Sequence, residues 1–391
     1  MEYTTHQEVD LSEIGIGLYA LSGVYGRKDV KHVKRMLKKA YEAGVTLFDT
    51  AQAYGNAESI LGETVHSFRE DIFIATKVGI REGFTPDLSE SMVRTACEES
   101  LQRLQTAYID LYQVHFHDMN TPVAETVGAL NDLVAEGKIR YYGVGHLPQD
   151  TAETYCKKGN IFSILMELSA VSRRALTTML PLCKMYKAAG IAFSTTGRGI
   201  LTGRYDSSTT FEPGDIRTID PLFQREQFES ALRVTQACTA IATRLGKTPV
   251  QVALAWVLEQ PGIVCALTGP STVSHMEENC GGSGWSLPEE DCATLEALFK
   301  REDAWLEKQQ VHTIHLILSE PLAPDFLQAF TDLVYALETS ITAGIAPEEK
   351  IMPLFQELFG TRKNKDEKKM GEIQQKMQDL LDDAVQGAAH S

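Results

Sequence analysis

From Ile14 to about Lys300, short apolar runs rich in β-branched residues alternate with longer stretches whose apolar residues recur three and four apart. A short run buried on both faces, followed by an amphipathic helix, is the repeating unit of a parallel sheet. Eight such runs are predicted as strands, at 14–18, 46–49, 72–77, 109–115, 141–145, 163–167, 191–195 and 264–268. The stretches 30–43, 89–104, 123–136 and 174–189 carry helical periodicity. Ser89 stands where a helix cap is needed, Pro122 suits a first helical turn, and Gly44, Gly137 and Gly190 fall where helices should stop. Eight strands with intervening helices favour a closed (β/α)8 TIM barrel over an open sheet.

The chain has 391 residues, more than a barrel of about 250 requires, and its character changes near residue 301. Phe326, Phe330, Leu333, Val334 and Leu337, then Leu354, Phe355 and Leu358, recur at helical spacing. Residues 365–385 read as a charged amphipathic helix with Met370, Ile373, Met377 and Leu380 on one side. We therefore expect a barrel over 1–302 and a C-terminal α-helical extension over 303–391. These helices are expected to cover part of the barrel or to form a homo-oligomer or protein-partner contact. A glycine-rich stretch, 197–214, interrupts the βα pattern after the seventh strand and is expected to be a long functional loop.

Charge excludes one class of partner. Acidic residues outnumber basic ones, 53 to 37, giving a net charge of −16, whereas nucleic-acid surfaces depend on Lys and Arg contacts to phosphate. The basic cluster Arg362, Lys363, Lys365, Lys368 and Lys369 is interrupted by Asp366 and Glu367 and reads as a solvated linker and helix start. No apolar run approaches the roughly 20 residues of a membrane span, and the start is polar, so the expected location is cytoplasmic. Seven scattered cysteines without CxxC spacing read as reduced thiols, and no clustered ligands suggest a metal.

Polar residues at strand ends carry the chemistry, because a parallel barrel builds its site at the C-terminal ends of its strands. Asp49 and Tyr54 lie at and just beyond the end of one predicted strand, Lys77 ends the next, and His115 ends the one after. A phenol with an unperturbed pKa near 10 exchanges protons poorly at neutral pH unless a cation stabilises its phenolate. Lys77 can supply that charge, Asp49 can orient the lysine, and His115 can hydrogen-bond a substrate oxygen.

Phe48-Asp49-Thr50-Ala51-Gln52-Ala53-Tyr54-Gly55, Ile74-Ala75-Thr76-Lys77 and Tyr108-Ile109-Asp110-Leu111-Tyr112-Gln113-Val114-His115 resemble the aldo-keto reductase family in order and spacing. Further matches are Glu136-Gly137-Lys138-Ile139-Arg140, residues 199–205 and Glu277-Glu278-Asn279, so the resemblance spans about 13–300. It implies that Asp49, Tyr54, Lys77 and His115 form a catalytic tetrad for hydride transfer between a nicotinamide ring and a carbonyl carbon. It implies cofactor contacts from Gly17, Leu18, Gly145, His146, Met166, Phe193, Ser194, Thr196, Arg198, Gly269, Ser271, His275, Glu278 and Asn279, with Phe193 stacked on the nicotinamide. Tyr19, Phe116 and His117 are expected as substrate-pocket walls.

Departures from the family pattern qualify these expectations. Many members hold the carboxamide with Ser-Asn after the fifth strand and Gln on the sixth, where this chain has Gly145-His146 and Met166. Residues 145–150 resemble the sugar-dehydrogenase branch, such as L-galactose dehydrogenase, implying a carbonyl or sugar substrate. Ser271 and His275 stand where a basic residue often meets the 2′-phosphate; NADP(H) remains preferred over NAD(H), with Arg198 or another loop cation compensating. Two alternatives stay open: a cofactor-sensing regulatory subunit whose helical tail docks a partner protein, and a tightly held cofactor supporting an internal redox cycle.

Overall fold

The computed structural model describes residues 1–80, 86–362 and 364–388. A two-residue turn at Gln7 and Glu8, both with positive φ, joins β1 (Tyr3–His6) and β2 (Val9–Ser12) into a hairpin. Its Leu11 belongs to the barrel core, and its His6 ring packs on Phe162 at 5.0 Å. Eight parallel strands then close on themselves: β3 (Ile14–Gly17), β4 (Leu47–Asp49), β5 (Phe73–Val78), β6 (Ile109–Val114), β7 (Ile139–Gly145), β8 (Ile161–Glu167), β9 (Ala189–Phe193) and β10 (Ile263–Thr268), with β10 pairing β3. The expected TIM barrel is the observed one.

The layer around the barrel comprises α1 (Val30–Glu42), α2 (Ala57–Val65), α3 (Glu90–Leu104), α4 (Val123–Ala135), α5 (Gln149–Lys158), α6 (Met179–Tyr186), α7 (Arg225–Leu245), α8 (Pro249–Leu258) and α9 (Val273–Cys280). Interior positions alternate with helix-facing ones along each strand. Leu47, Ala75, Leu111, Leu165, Ile191 and Leu267 fill the inside. Gly62 lets α2 meet the end of α3: a Cβ there would lie 2.3 Å from the Leu104 carbonyl oxygen.

Several local expectations change. The helix predicted over 174–189 divides into a 3-10 turn, Arg174–Leu176, and α6. Pro181, in the first turn of α6, cannot donate back to Thr177 and its ring opposes a helix running through that residue. Gly190 is a strand residue rather than a helix stop; Lys187 ends α6 in left-handed conformation, and a Cβ on Gly190 would meet the Gly262 oxygen at 2.7 Å. Ser89 occupies the N-cap of α3, but its hydroxyl donates to Asp87 Oδ1 instead of capping. Pro122 sits one residue before α4 as its N-cap.

The chain divides into two compact units, Met1–Arg204 with Thr235–Cys292, and Tyr205–Val234 with Ala293–Ser391. The boundary expected at 302 therefore falls within α10 (Glu289–Ser319), and much of the glycine-rich loop groups with the tail. The second unit also holds α11 (Phe326–Thr342), α12 (Glu348–Thr361) and α13 (Glu367–Ala388). Phe330, Leu333, Leu337, Ile351, Leu358, Met370, Ile373 and Met377 form its core, joined by Ile219 from the 205–234 segment. Asp325 caps α11 by accepting from the Gln328 amide at 2.8 Å, and Lys369 pairs with Glu357 at 3.0 Å. No helix among the described residues is long and apolar enough to cross a membrane.

Candidate active site

At the C-terminal mouth of the barrel, Lys77 Nζ donates to Asp49 Oδ1 at 2.6 Å and to the Thr50 carbonyl at 2.8 Å. The register places these groups: β4 pairs with β5, and the Thr50 amide donates to the Ala75 carbonyl at 2.9 Å. Tyr54 stands in the turn between β4 and α2, fixed by its amide on the Ala51 carbonyl and by the Ala57 amide on its own. Its ring centroid is 5.0 Å from Lys77 Nζ and 5.7 Å from the His115 ring. Asp49, Tyr54, Lys77 and His115 are all at least nine-tenths buried.

Burial sets the protonation of this group. It raises Asp49 and lowers Lys77, each shift opposed by the other partner. Burial, then Lys77 and His146, hold His115 well below the usual histidine range, so its imidazole is neutral. Burial first, then Asp49, Tyr19 and Tyr25, push the Tyr54 phenol well above its usual value. Asp49 Oδ1 lies 2.6 Å from the ammonium.

An arc of rings continues from Tyr54 around the mouth. Tyr19, 42% exposed, meets Tyr54 at 5.1 Å; Phe116 lies 4.5 Å from His115 and stacks on His146 at 4.9 Å; and His146 lies 4.6 Å from Phe193. His146, following Gly145 at the end of β7, has a positive φ of 48°, a costly conformation for a residue with a side chain. Surrounding protein, then Lys77 and Arg198, pull its pKa down, although solvent reaching the ring limits that pull. His117 lies beyond the end of β6 and is half-buried. Asp118 pins that loop through the Leu88 and Asn120 amides.

Other candidates lie on neighbouring strand ends. Gly17 ends β3 and Gly269 directly follows the neighbouring β10, and a Cβ on Gly269 would lie 3.8 Å from the Gly17 oxygen. The Leu18 amide donates to the Asp49 carbonyl. Ser194 and Arg198 both have positive φ and flank Thr196 in the turn after β9. Arg198 is bound to Glu167, Nη1 to Oε1 at 2.8 Å. Met166 is 2% exposed and adjoins Leu165, a barrel-interior residue, so it faces the helix layer and cannot replace a carboxamide-binding glutamine.

A second cluster surrounds α9. Ser271 precedes its cap, Thr272, which accepts from the His275 amide; Glu278 and the buried Asn279 lie in its last turn. Arg204, not anticipated from the sequence, places Nη1 2.6 Å from His275 Nε2 and Nη2 3.5 Å from Glu278 Oε2. Its position inside the 199–205 match was the available signal. Among the described residues no group of three or more His, Cys, Asp or Glu is placed to hold a metal.

The aldo/keto reductase family model matches residues 13–300. The chain belongs to this family. Aldo-keto reductases are oxidoreductases that interconvert carbonyls and alcohols, and this enzyme is one of them. It is 30% identical over 338 residues to aldo-keto reductase YhdN of Bacillus subtilis (strain 168), covering 84% of this chain and 98% of the relative. It is 33% identical over 293 residues to probable aldo-keto reductase 1 of Glycine max, covering 73% and 84%. Among solved structures it resembles the glycerol dehydrogenase from Gluconobacter oxydans, with TM-score 0.71, 27% identity and coverage of 83% and 98%. It also resembles an aldo-keto reductase from Bacillus halodurans in its holo form, with TM-score 0.66, 26% identity and coverage of 76% and 96%.

Proposed function

We propose that this aldo-keto reductase interconverts a polar carbonyl compound and its alcohol with a nicotinamide dinucleotide, Tyr54 exchanging the proton with the substrate oxygen. The observation that carries this reading is the buried Asp49–Lys77 pair with the Tyr54 ring 5.0 Å from the ammonium. The residues present suit a dinucleotide: Phe193 and His146 offer ring faces, and the exposed Arg204 with the first amides of α9 offers charge and donors for phosphate. When bound, the nicotinamide supplies or takes up the hydride.

The chain's own residues govern the proton. Burial keeps Tyr54 neutral, hence loaded for donation to a carbonyl oxygen in reduction. As that proton leaves, the Lys77 charge favours the phenolate that forms, and Asp49 keeps the ammonium charged and aimed. A neutral His115 can donate an N–H to the same oxygen without adding charge. Tyr19 and Phe116 then wall the substrate, and the likeness to a glycerol dehydrogenase supports polyol-derived or sugar carbonyls. A turnover screen over aldehydes, ketones, polyols and aldoses with both cofactors tests the proposal. Tight cofactor binding without turnover of any compound would overturn it.

Preference for NADP(H) follows from Arg204. Replacing it with Ala removes a charge-assisted contact and is expected to weaken NADPH binding about tenfold or more, with NADH unaffected. Titration of cofactor fluorescence reads both constants; equal losses would remove Arg204 as the 2′-phosphate contact.

A further inference from the structure

Inside the barrel, one rung carries an anomaly. The register runs from Lys77 to Gln113, from Gln113 to Gly143, from Gly143 to Ser163 and from Ser163 to Ala189. Ala75, Leu111, Leu165 and Ile191, each two positions away on the same strands, belong to the interior core, so this rung faces inward as well. Gln113 is fully buried, yet among the described residues neither its amide nitrogen nor its oxygen has a protein partner. The buried hydroxyl of Ser163 and the Oδ2 of Asp49 are also unpartnered.

Stranding a primary amide and a hydroxyl in an apolar core is costly, and natural interiors resolve such groups with protein or ordered water. The residues paired with Ser163 on either side, Gly143 and Ala189, carry little side-chain volume. A Cβ on Gly143 would lie 2.4 Å from Ser163 Oγ, so the hydroxyl leans over Gly143 toward the strand that carries Gln113. Volume with converging donors and acceptors is what buried water requires.

We propose that Gln113 and Ser163 hold a buried water site beside the Lys77–Asp49 pair, reaching Oδ2 of Asp49, and that Gln113 is thereby a positioning residue. The second half rests on the reading of that pair as catalytic. Protein supplies the ammonium with two acceptors, Asp49 Oδ1 and the Thr50 carbonyl, while a lysine carries three donors. Hydration at this rung favours the charged form of both partners. The other titratable groups coupled to the pair are Tyr54, His115, Glu58, His146 and Cys265.

Crystal structures of the full chain at a resolution that shows ordered water, wild type and Gln113→Met, test the site. Water bonded to the Gln113 amide and to Ser163 is expected in the first and lost in the second. A dry rung, or a Gln113 amide bonded to protein, overturns the site. Met keeps the volume without the polar demand, so the variant should fold; Ser163→Ala, expected to lose the water contact at that end, provides a second reading. In Gln113→Met the alkaline limb of the kcat profile should move to lower pH by about one unit, as a less hydrated ammonium gives up its proton sooner, with cofactor binding unchanged. Loss of the water with kcat and the limb unmoved overturns the positioning role. Full turnover in Lys77→Met instead sinks the catalytic reading of the pair and leaves the water site to be judged on density.

Discussion

Tyr54→Phe should lower kcat by about two to four orders of magnitude, the usual worth of a positioned acid or base. Only the hydroxyl is removed. The ring that packs 5.1 Å from Tyr19 and 5.7 Å from His115 is retained, as is its face toward Lys77. Fold and cofactor affinity should therefore be preserved, and single-turnover rates measured beside cofactor titration separate chemistry from binding. A variant that turns over at the wild-type rate would transfer the proton-donor role to another group.

Lys77→Met should be the most damaging single change to the barrel mouth, for activity and for stability together. It strands the Asp49 carboxylate, buried and without its cation, which typically costs about 3–5 kcal/mol. The pH dependence has a definite sign. Burial already raises the Asp49 pKa, and Lys77 is the main influence lowering it, so the variant's carboxyl rises further. A group raised in the folded state favours folding below its unfolded pKa and loses that contribution as pH climbs through the folded value. Denaturant midpoints should therefore fall short of wild type by more at pH 8 than at pH 5, and Asp49→Asn added to the variant should recover part of the loss. A deficit independent of pH would show that Asp49 is not the group left stranded.

Much of the mouth was legible because a parallel barrel brings every strand's C-terminal end to one side. Strand order and the polar residues Asp49, Lys77 and His115 at those ends were sufficient, with Tyr54 in the turn that follows. Side-chain direction was harder to read. Met166 and Leu165 differ by one position and face opposite ways, and the β7–β8 register shifts between Tyr142 and Gly143, so parity cannot be counted from a strand's start. Arg204 and Arg198 take partners far along the chain, His275 at 71 residues and Glu167 at 31. Such pairings leave no periodic trace. Gln113 and Ser163 gave no signal either, since a lone polar residue in an apolar strand is meaningful only once its neighbours are known.

The Ile219 contribution to the helical core bears on how this protein could be dissected or rebuilt. That core draws on two stretches separated by more than fifty residues of barrel, so no single cut releases it intact. Shortening the chain after α10 would uncover Ile216 and Ile219 on the fragment that remains, exposing apolar side chains that the full-length protein packs into this core. Grafting the tail onto another barrel would carry only part of what it needs to fold.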